Sequence, residues 1–546
     1  MKTYRNAWIA LAWVVMLASP MPARGQKFRP DDPVRVDPDQ QPVARPNPVG
    51  ELSQIVDFLQ NTFQNRAKGA VVPAENINTL GEVPDSSWFT NRMGLQVMTI
   101  EDLVRGPDQG AGPDTSRGWV IISAKTQGVT PGFQIRDGRG DVYFIKFDPL
   151  TNPQMATSSE VICTKLFHAM GYNVPENYLA FVRQDDIRID PQAQVKDETG
   201  RDRPMNEKDV DNIFSRVALR MDGSVQVVAS RGLPGEPMGP YLYRGVRGDD
   251  PNDIFPHENR RELRGLRLFA AWLNHDDSRS INSGTFFISQ GDKGYLKHYL
   301  MDFGSCLGSG SVRIQGRRAG YEYKIEWTPI LRAALSLGLW DRKWRHIPYP
   351  DFPSIGRFEA RNFEPELWRP EYPNQAFERM RNDDAFWAVR ILMRFTDEMI
   401  RAVVKTGRYD DKAAEEYLIQ TLIKRRDKIV HHYLAEINPL DSFRVTDSPS
   451  GAALAFTNLG EQAGVAGAGA YAYQWFRFDN RSEKSDPIGA PQSVSSASIP
   501  VPRDDAPYLM VRISTTAKEC PKWKKSLDVF IRQSPEKQIV GIERTP

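Results

Sequence analysis

Two short polar runs, 20 residues apart, constrain this chain more than anything else in it. The first is His275-Asp276-Asp277-Ser278-Arg279-Ser280-Ile281-Asn282, which follows a helical pattern at Asn259–Leu273. The second is Asp302-Phe303-Gly304, which follows the strand-like Tyr299–Met301. Between them, 284–297 (GTFFISQGDKGYLK) reads as a hairpin, with turn residues flanked by apolar, aromatic-rich runs. A hairpin of that length sets Asn282 and Asp302 side by side at the base of two neighbouring strands. A fold containing these runs must therefore bring an amide and a carboxylate to one point.

Upstream, the pattern predicts strands at Trp119–Ser123, Phe133–Arg136 and Val142–Phe147, the last two joined by the turn residues 137–141. Ser158–Met170 has helical periodicity, with serine at its start and Gly171 just past its end. Strands are again predicted at Tyr178–Val182 and Val225–Ser230, and the charged 183–215 reads as a surface insertion. Lys146 lies in the third strand, and Glu160 opens the following helix, where a carboxylate could pair with the lysine. Taken singly these are ordinary: a strand lysine, a first-turn glutamate suited to the helix dipole, a polar turn.

Taken together, their order matches what phosphoryl transfer requires: a triphosphate held, its charge neutralised, and a nucleophile aimed. Lys146 could contact the α- and β-phosphates, with Glu160 fixing its direction. Asp277 could orient an acceptor hydroxyl, and Arg279 could neutralise the phosphoryl group in transit. Asn282 and Asp302 could hold Mg²⁺, and His275 could brace the loop. Segment 126–132 has two glycines, Gly128 and Gly132, whose backbone N–H groups could cradle phosphates. The expected fold is α+β: a two-lobed, protein-kinase-like arrangement, followed by a small all-β, sandwich-like domain.

The run SSEVICTKLFHAMGYNVPENY resembles the early helix and following strand of HipA-like kinases. Residues 118–437 as a whole resemble that atypical kinase group and its exported relatives, the CotH spore-coat kinases and secretory-pathway casein-type kinases. The resemblance implies ATP, Mg²⁺ and transfer to a Ser/Thr or other hydroxyl. It carries over to Lys146, Glu160, Asp277, Asn282 and Asp302. Asp276 departs from the family's usual arginine, which weakens the expectation of control by activation-loop phosphorylation. The glycine-rich loop has two glycines where three are usual, and no Ala-Pro-Glu follows Gly304.

The rest of the 546 residues suggests several units. Lys2 and Arg5, the apolar 7–18, and Ala23 and Gly25 form a Sec-type secretory signal over 1–25, too short to span a bilayer. Its removal takes the formal charge from +2 to −1, which gives no electrostatic case for nucleic acid. Residues 26–117 read as a Pro-rich linker and N-terminal extension, with a helix over Glu51–Phe63. Residues 118–258 read as an N-lobe with insertion, 259–440 as a helical C-lobe, and 441–546 as the β domain. Long helices are predicted at Asp384–Val404 and Asp411–Ile437, and β-domain strands at Ala470–Phe478, Ser493–Val501, Tyr508–Ser514 and Leu527–Arg532.

No stretch beyond the signal is apolar enough for a span. Three cysteines, Cys163, Cys306 and Cys520, make no disulfide scaffold, though Cys163 and Cys306 could meet near the cleft. No His-Glu-x-x-His or Gly-x-Ser-x-Gly run points to a metalloprotease or a serine hydrolase. The expected activity is an exported phosphotransferase acting from ATP on a hydroxyl acceptor. The alternatives are a catalytically silent pseudokinase that scaffolds, and a kinase-like enzyme that transfers AMP. The β domain is expected to be either a docking module for a protein partner or a packing cap.

Overall fold

The computed structural model describes residues 25–50, 53–64, 70–124, 132–196, 201–337, 340–448 and 451–545. Gly128 and residues 1–24 of the signal segment lie outside these residues.

A seven-stranded mixed sheet forms the first layer. Its strands are β1 (Trp119–Ala124), β2 (Gly132–Arg136), β3 (Val142–Phe147), β4 (Asn177–Val182), β5 (Ile187–Lys196), β6 (Asp202–Pro204) and β7 (Val225–Arg231), in the order β4-β7-β3-β2-β1-β5-β6. Val142–Phe147 alternates between solvent and interior, which buries Tyr143, Ile145 and Phe147. Gly132 pairs with Lys146 across β2 and β3. The charged 183–215 is largely exposed, yet part of it folds onto the sheet. β5 extends the sheet by pairing parallel to β1, β6 pairs with β5, and Val210 and Phe214 of the helix Glu207–Phe214 join the sheet's core.

Between β3 and β4 runs helix α1 (Met155–Ala169), which starts three residues before the predicted Ser158. Its cap comes from the end of β3. The Asp148 carboxylate accepts N–H bonds from Ala156 at 2.7 Å and Thr157 at 2.9 Å, and the Thr157 hydroxyl at 2.6 Å. Strand and helix are thereby fixed to each other. Ile162, Cys163, Leu166 and Phe167 then enter the core of the helical part that follows, joined by Trp88, Phe89 and Met93 from the N-terminal extension.

The second part begins with α2 (Arg261–Leu273). It is followed by a hairpin of β8 (Ser283–Gln290) and β9 (Lys293–Leu300), which pair antiparallel in continuous register. Further on lie α3 (Trp327–Leu335), α4 (Asn382–Leu392), α5 (Asp397–Lys405) and α6 (Lys412–Ala435). The long helix predicted over Asp384–Val404 is thus two helices. Thr396 interrupts it by capping Met399 with its hydroxyl, and the chain turns through 393–396.

The C-terminal strands form a three-stranded and a five-stranded sheet around one core containing Leu454, Trp475, Val511 and Val529. The strand predicted over Ser493–Val501 is divided into Ser485–Val494 and Ser498–Pro500, each pairing in a different sheet. Residues 26–50 are extended but docked. Phe28 sits among Phe478, Met510, Phe530 and Val540, and a Cβ on Gly541 would meet its ring at 2.5 Å. Val43 bridges to Gly294 of the hairpin, and Ser87 donates its N–H and hydroxyl to the buried Asp39.

Candidate functional site

The sheet, α1 and the hairpin converge on Lys146. Its ammonium lies 3.2 Å from Glu160 Oε2 and 2.8 Å from Asp302 Oδ1. Burial works against the charge, but Asp302 and Glu160 outweigh it and hold Lys146 above the ordinary lysine range. Glu160 is itself buried, and both of its oxygens are in use. Oε1 accepts the Phe303 backbone N–H at 3.0 Å and the Asn177 amide at 3.3 Å. One carboxylate therefore ties strand, helix and the Asp-Phe-Gly run together. A Cβ on Gly304 would come within 3.1 Å of Glu160 Oε2, so glycine allows this approach.

Asp302 adopts a left-handed backbone conformation (φ 63°, ψ 63°), which aspartate tolerates better than most residues. Its carboxylate faces the cleft, with its side chain 47% exposed. Phe303 turns the other way. It is fully buried, stacks on Phe167 of α1 with centroids 4.9 Å apart, and lies against His275 at 5.9 Å. His275 takes no part in the polar cleft. Burial pushes its pKa down to about 4, so it is a neutral brace, with Nδ1 bonded to the Ser278 hydroxyl at 2.9 Å.

The loop after α2 brings together Asp277, Arg279 and Asn282. Arg279 Nε is 2.5 Å from Asp277 Oδ1, and Nη1 is 2.7 Å from Glu371 Oε2. Burial pushes Asp277 up to about 7, even though Arg279 and a hydrogen bond from Asn282 pull the other way. Asn282 donates its amide N–H to the Asp277 carbonyl at 2.8 Å, and its amide oxygen is an acceptor. Met301 donates its N–H to the Asn282 carbonyl at 3.0 Å, so the base of the hairpin joins the loop to the Asp302 segment. Among the described residues, no cluster of three or more His, Cys, Asp or Glu could hold a metal by itself. Asp302 and Asn282 are the donors that a phosphate-bound divalent cation would find here, and their oxygens suit Mg²⁺.

Several participants were not legible as site residues. Asp276 accepts from Gln315 at 2.6 Å. The same Gln315 amide donates to the carbonyls of Ser305 at 2.9 Å and Asn274 at 3.2 Å. The segment after Gly304 is thus pinned to the loop by an uncharged side chain. Burial, with Asp277 and Glu371 nearby, pushes Asp276 above the carboxylate range. Glu371 and Asn177 lie 92 and 17 residues in sequence from the groups they bind, and no local motif marks them. Cys163 and Cys306 are both buried free thiols, and burial together with the neighbouring Cys163 pushes Cys306 up.

No family model matches the chain, and no curated protein matches it. Among solved structures, the crystal structure of a Helicobacter pylori proinflammatory kinase, CtkA, is similar at 13% identity with a TM-score of 0.33. That alignment covers 59% of this chain and 96% of the other. The likeness is coarse.

Proposed function

We propose that the chain is a kinase-like phosphotransferase that moves the γ-phosphate of ATP to a hydroxyl acceptor. The observation that carries this reading is the meeting of Lys146, Glu160 and Asp302 at one point of the cleft. Lys146 would bind the α- and β-phosphates, and Glu160 aims it. Gly132, paired with Lys146 at the start of β2, and Gly128 are proposed to back the phosphates. Asp302 and Asn282 would hold Mg²⁺, which supplies charge neutralisation at the phosphates when bound. Asp277 orients the acceptor hydroxyl and takes its proton as the oxygen bonds to phosphorus and the bond to the β-phosphate oxygen breaks. Arg279 holds Asp277 in place, and its positive charge would offset that of the transferring phosphoryl. The acceptor is a protein Ser/Thr or a small-molecule hydroxyl, and the site of action is extracytoplasmic.

Purified protein incubated with γ-labelled ATP and Mg²⁺ should label an acceptor or itself, and Asp302→Ala should abolish the label. Equal incorporation by both proteins would overturn the reading. One observation favours a second reading, a nucleotide-free scaffold: Lys146 already neutralises Asp302, and Asp277 and Glu371 already engage Arg279. In that case millimolar ATP with Mg²⁺ would leave Tm unchanged. Transfer of AMP would appear as an adenylyl mass on the product. We further propose the C-terminal sheets as a docking module, to be tested by partner binding after deletion of 442–546.

A further inference from the structure

Beyond the cleft, one helix stands apart from the other α-helices of eight or more residues among the described residues. In α3, Trp327, Ile330, Leu331 and Leu335 recur at helical spacing and so form a continuous apolar stripe. In a soluble helix such a stripe faces the core. Here no residue of α3 is buried: Trp327 is 53% exposed, Leu331 57% and Leu335 86%. The chain thus builds an amphipathic helix and leaves its apolar face in solvent, where a patch of this kind marks an interaction surface.

The charge around the helix tells what covers it. Residues 313–346 hold eight Lys and Arg against three Asp and Glu, a local +5 in a chain whose total is only +2. Past the helix, Trp340 donates its N–H to the Ser336 hydroxyl at 2.9 Å, which ties the following basic turn to the helix end. That turn, Trp340-Asp341-Arg342-Lys343-Trp344-Arg345-His346, sets two indoles among basic residues with one aspartate. Arg342 lies against Trp340 and Trp344 at 6.0 and 5.8 Å, and Lys343 and Arg345 are exposed. An exposed stripe of Leu, Ile and Trp beside basic residues and amphipathic indoles fits the boundary of an anionic bilayer. Apolar side chains enter the acyl region, indoles sit at headgroup level, and Lys/Arg meet lipid phosphates.

We propose that α3 and the turn after it form a membrane-docking surface for anionic phospholipid, lying in the interface without crossing it. Among the described residues no helix is long and apolar enough to span. The surface adjoins the loop of the candidate site. Lys324, three residues before α3, donates its backbone N–H to the Glu371 carbonyl at 2.7 Å, and the Glu371 carboxylate holds Arg279. Docking would present this side of the cleft to the lipid surface. The proposal does not depend on phosphoryl transfer, and its test reads binding alone.

The test is cosedimentation of the full chain with vesicles of phosphatidylcholine alone or with 30% phosphatidylglycerol added, at low and high salt. Because 7–18 is itself apolar, the decisive comparison is among variants of the same chain. We expect binding to anionic vesicles that weakens about tenfold or more in high salt and in Lys343→Glu/Arg345→Glu. Leu331→Glu/Leu335→Glu should weaken it similarly, with Tm unchanged because neither leucine is packed. Equal binding to both vesicle types, or equal binding by the variants, would overturn the proposal. So would a chain that ignores vesicles but binds an acidic polypeptide such as polyglutamate.

Discussion

Glu160 accepts the backbone N–H of Phe303 at 3.0 Å with one oxygen and reaches Lys146 with the other. The strand lysine is thus aimed by the same group that fixes the Asp-Phe-Gly backbone, through its two different oxygens. Glu160→Gln keeps an acceptor for Phe303 but removes the charge. Glu160→Ala removes both and leaves the buried Phe303 and Asn177 donors unpaired. Phosphotransfer should fall about a hundredfold or more in either variant. Only the alanine variant should also lose about 2–3 kcal/mol of stability in denaturant titration.

The raised pKa of Asp277 predicts a pH profile. A base must be deprotonated to accept the hydroxyl proton, so kcat should rise about tenfold per pH unit up to about 7 and then level. Asp277→Asn should cost roughly 10²–10⁴-fold in kcat and abolish that limb. The effect on folding has the opposite sense. A carboxyl whose folded pKa is raised favours the fold at acid pH, and that contribution is lost as pH rises from the unfolded value through about 7. The asparagine variant should therefore not lose stability at pH 8, as chemical denaturation would show.

His275 predicts the reverse slope. Its folded pKa of about 4 lies below the unfolded value, so the unfolded chain takes up the proton first. The stability it contributes is complete above about pH 6.5 and is lost as pH falls toward 4, at up to about 1.4 kcal/mol per unit. Chemical denaturation of wild type and His275→Asn at pH 7 and pH 5 should show a smaller loss on acidification in the variant.

Asp148 caps α1 from the strand that carries Lys146. Asp148→Ala would orphan the Ala156 and Thr157 N–H groups in a buried setting. Loss of about 2–3 kcal/mol is expected. Activity, measured well below the unfolding midpoint, should also fall, because Glu160 rides on that helix. Unchanged thermal unfolding of the variant would show that the cap is dispensable.

The strands around Lys146 and the hairpin between Asn282 and Asp302 were legible because their apolar patterns are local and their turns carry turn residues. The start of α1 was not. Its cap lies at Asp148, seven residues ahead of Met155, so no adjacent serine or aspartate announces it. β5 was hidden because Pro191 interrupts the alternation of Ile187, Ile189, Ala193 and Val195 with polar residues, in a strand that is half exposed near the sheet edge. The break at Thr396 was hidden because helical periodicity continues on both sides of it. At the site, the residues on the two runs could be named from order and spacing. Glu371, Gln315 and Asn177 could not, because their partners are chosen by the fold and not by a local pattern. The docking of 26–50 was equally invisible, since its proline-rich composition suggests a chain with nothing to bind.

That docking has a kinetic side. Phe28 packs on Phe530 and Val540, and its nearest ring partner lies 502 positions further along the chain. Emerging early during synthesis, it must wait, unpaired and apolar, until the last strands form. The closing contact of folding is then the seating of an early aromatic residue in a pocket finished last, beside a glycine that leaves room for it. Phe28→Ala would leave the rest of the molecule assembling at its usual pace while weakening the latch that completes it.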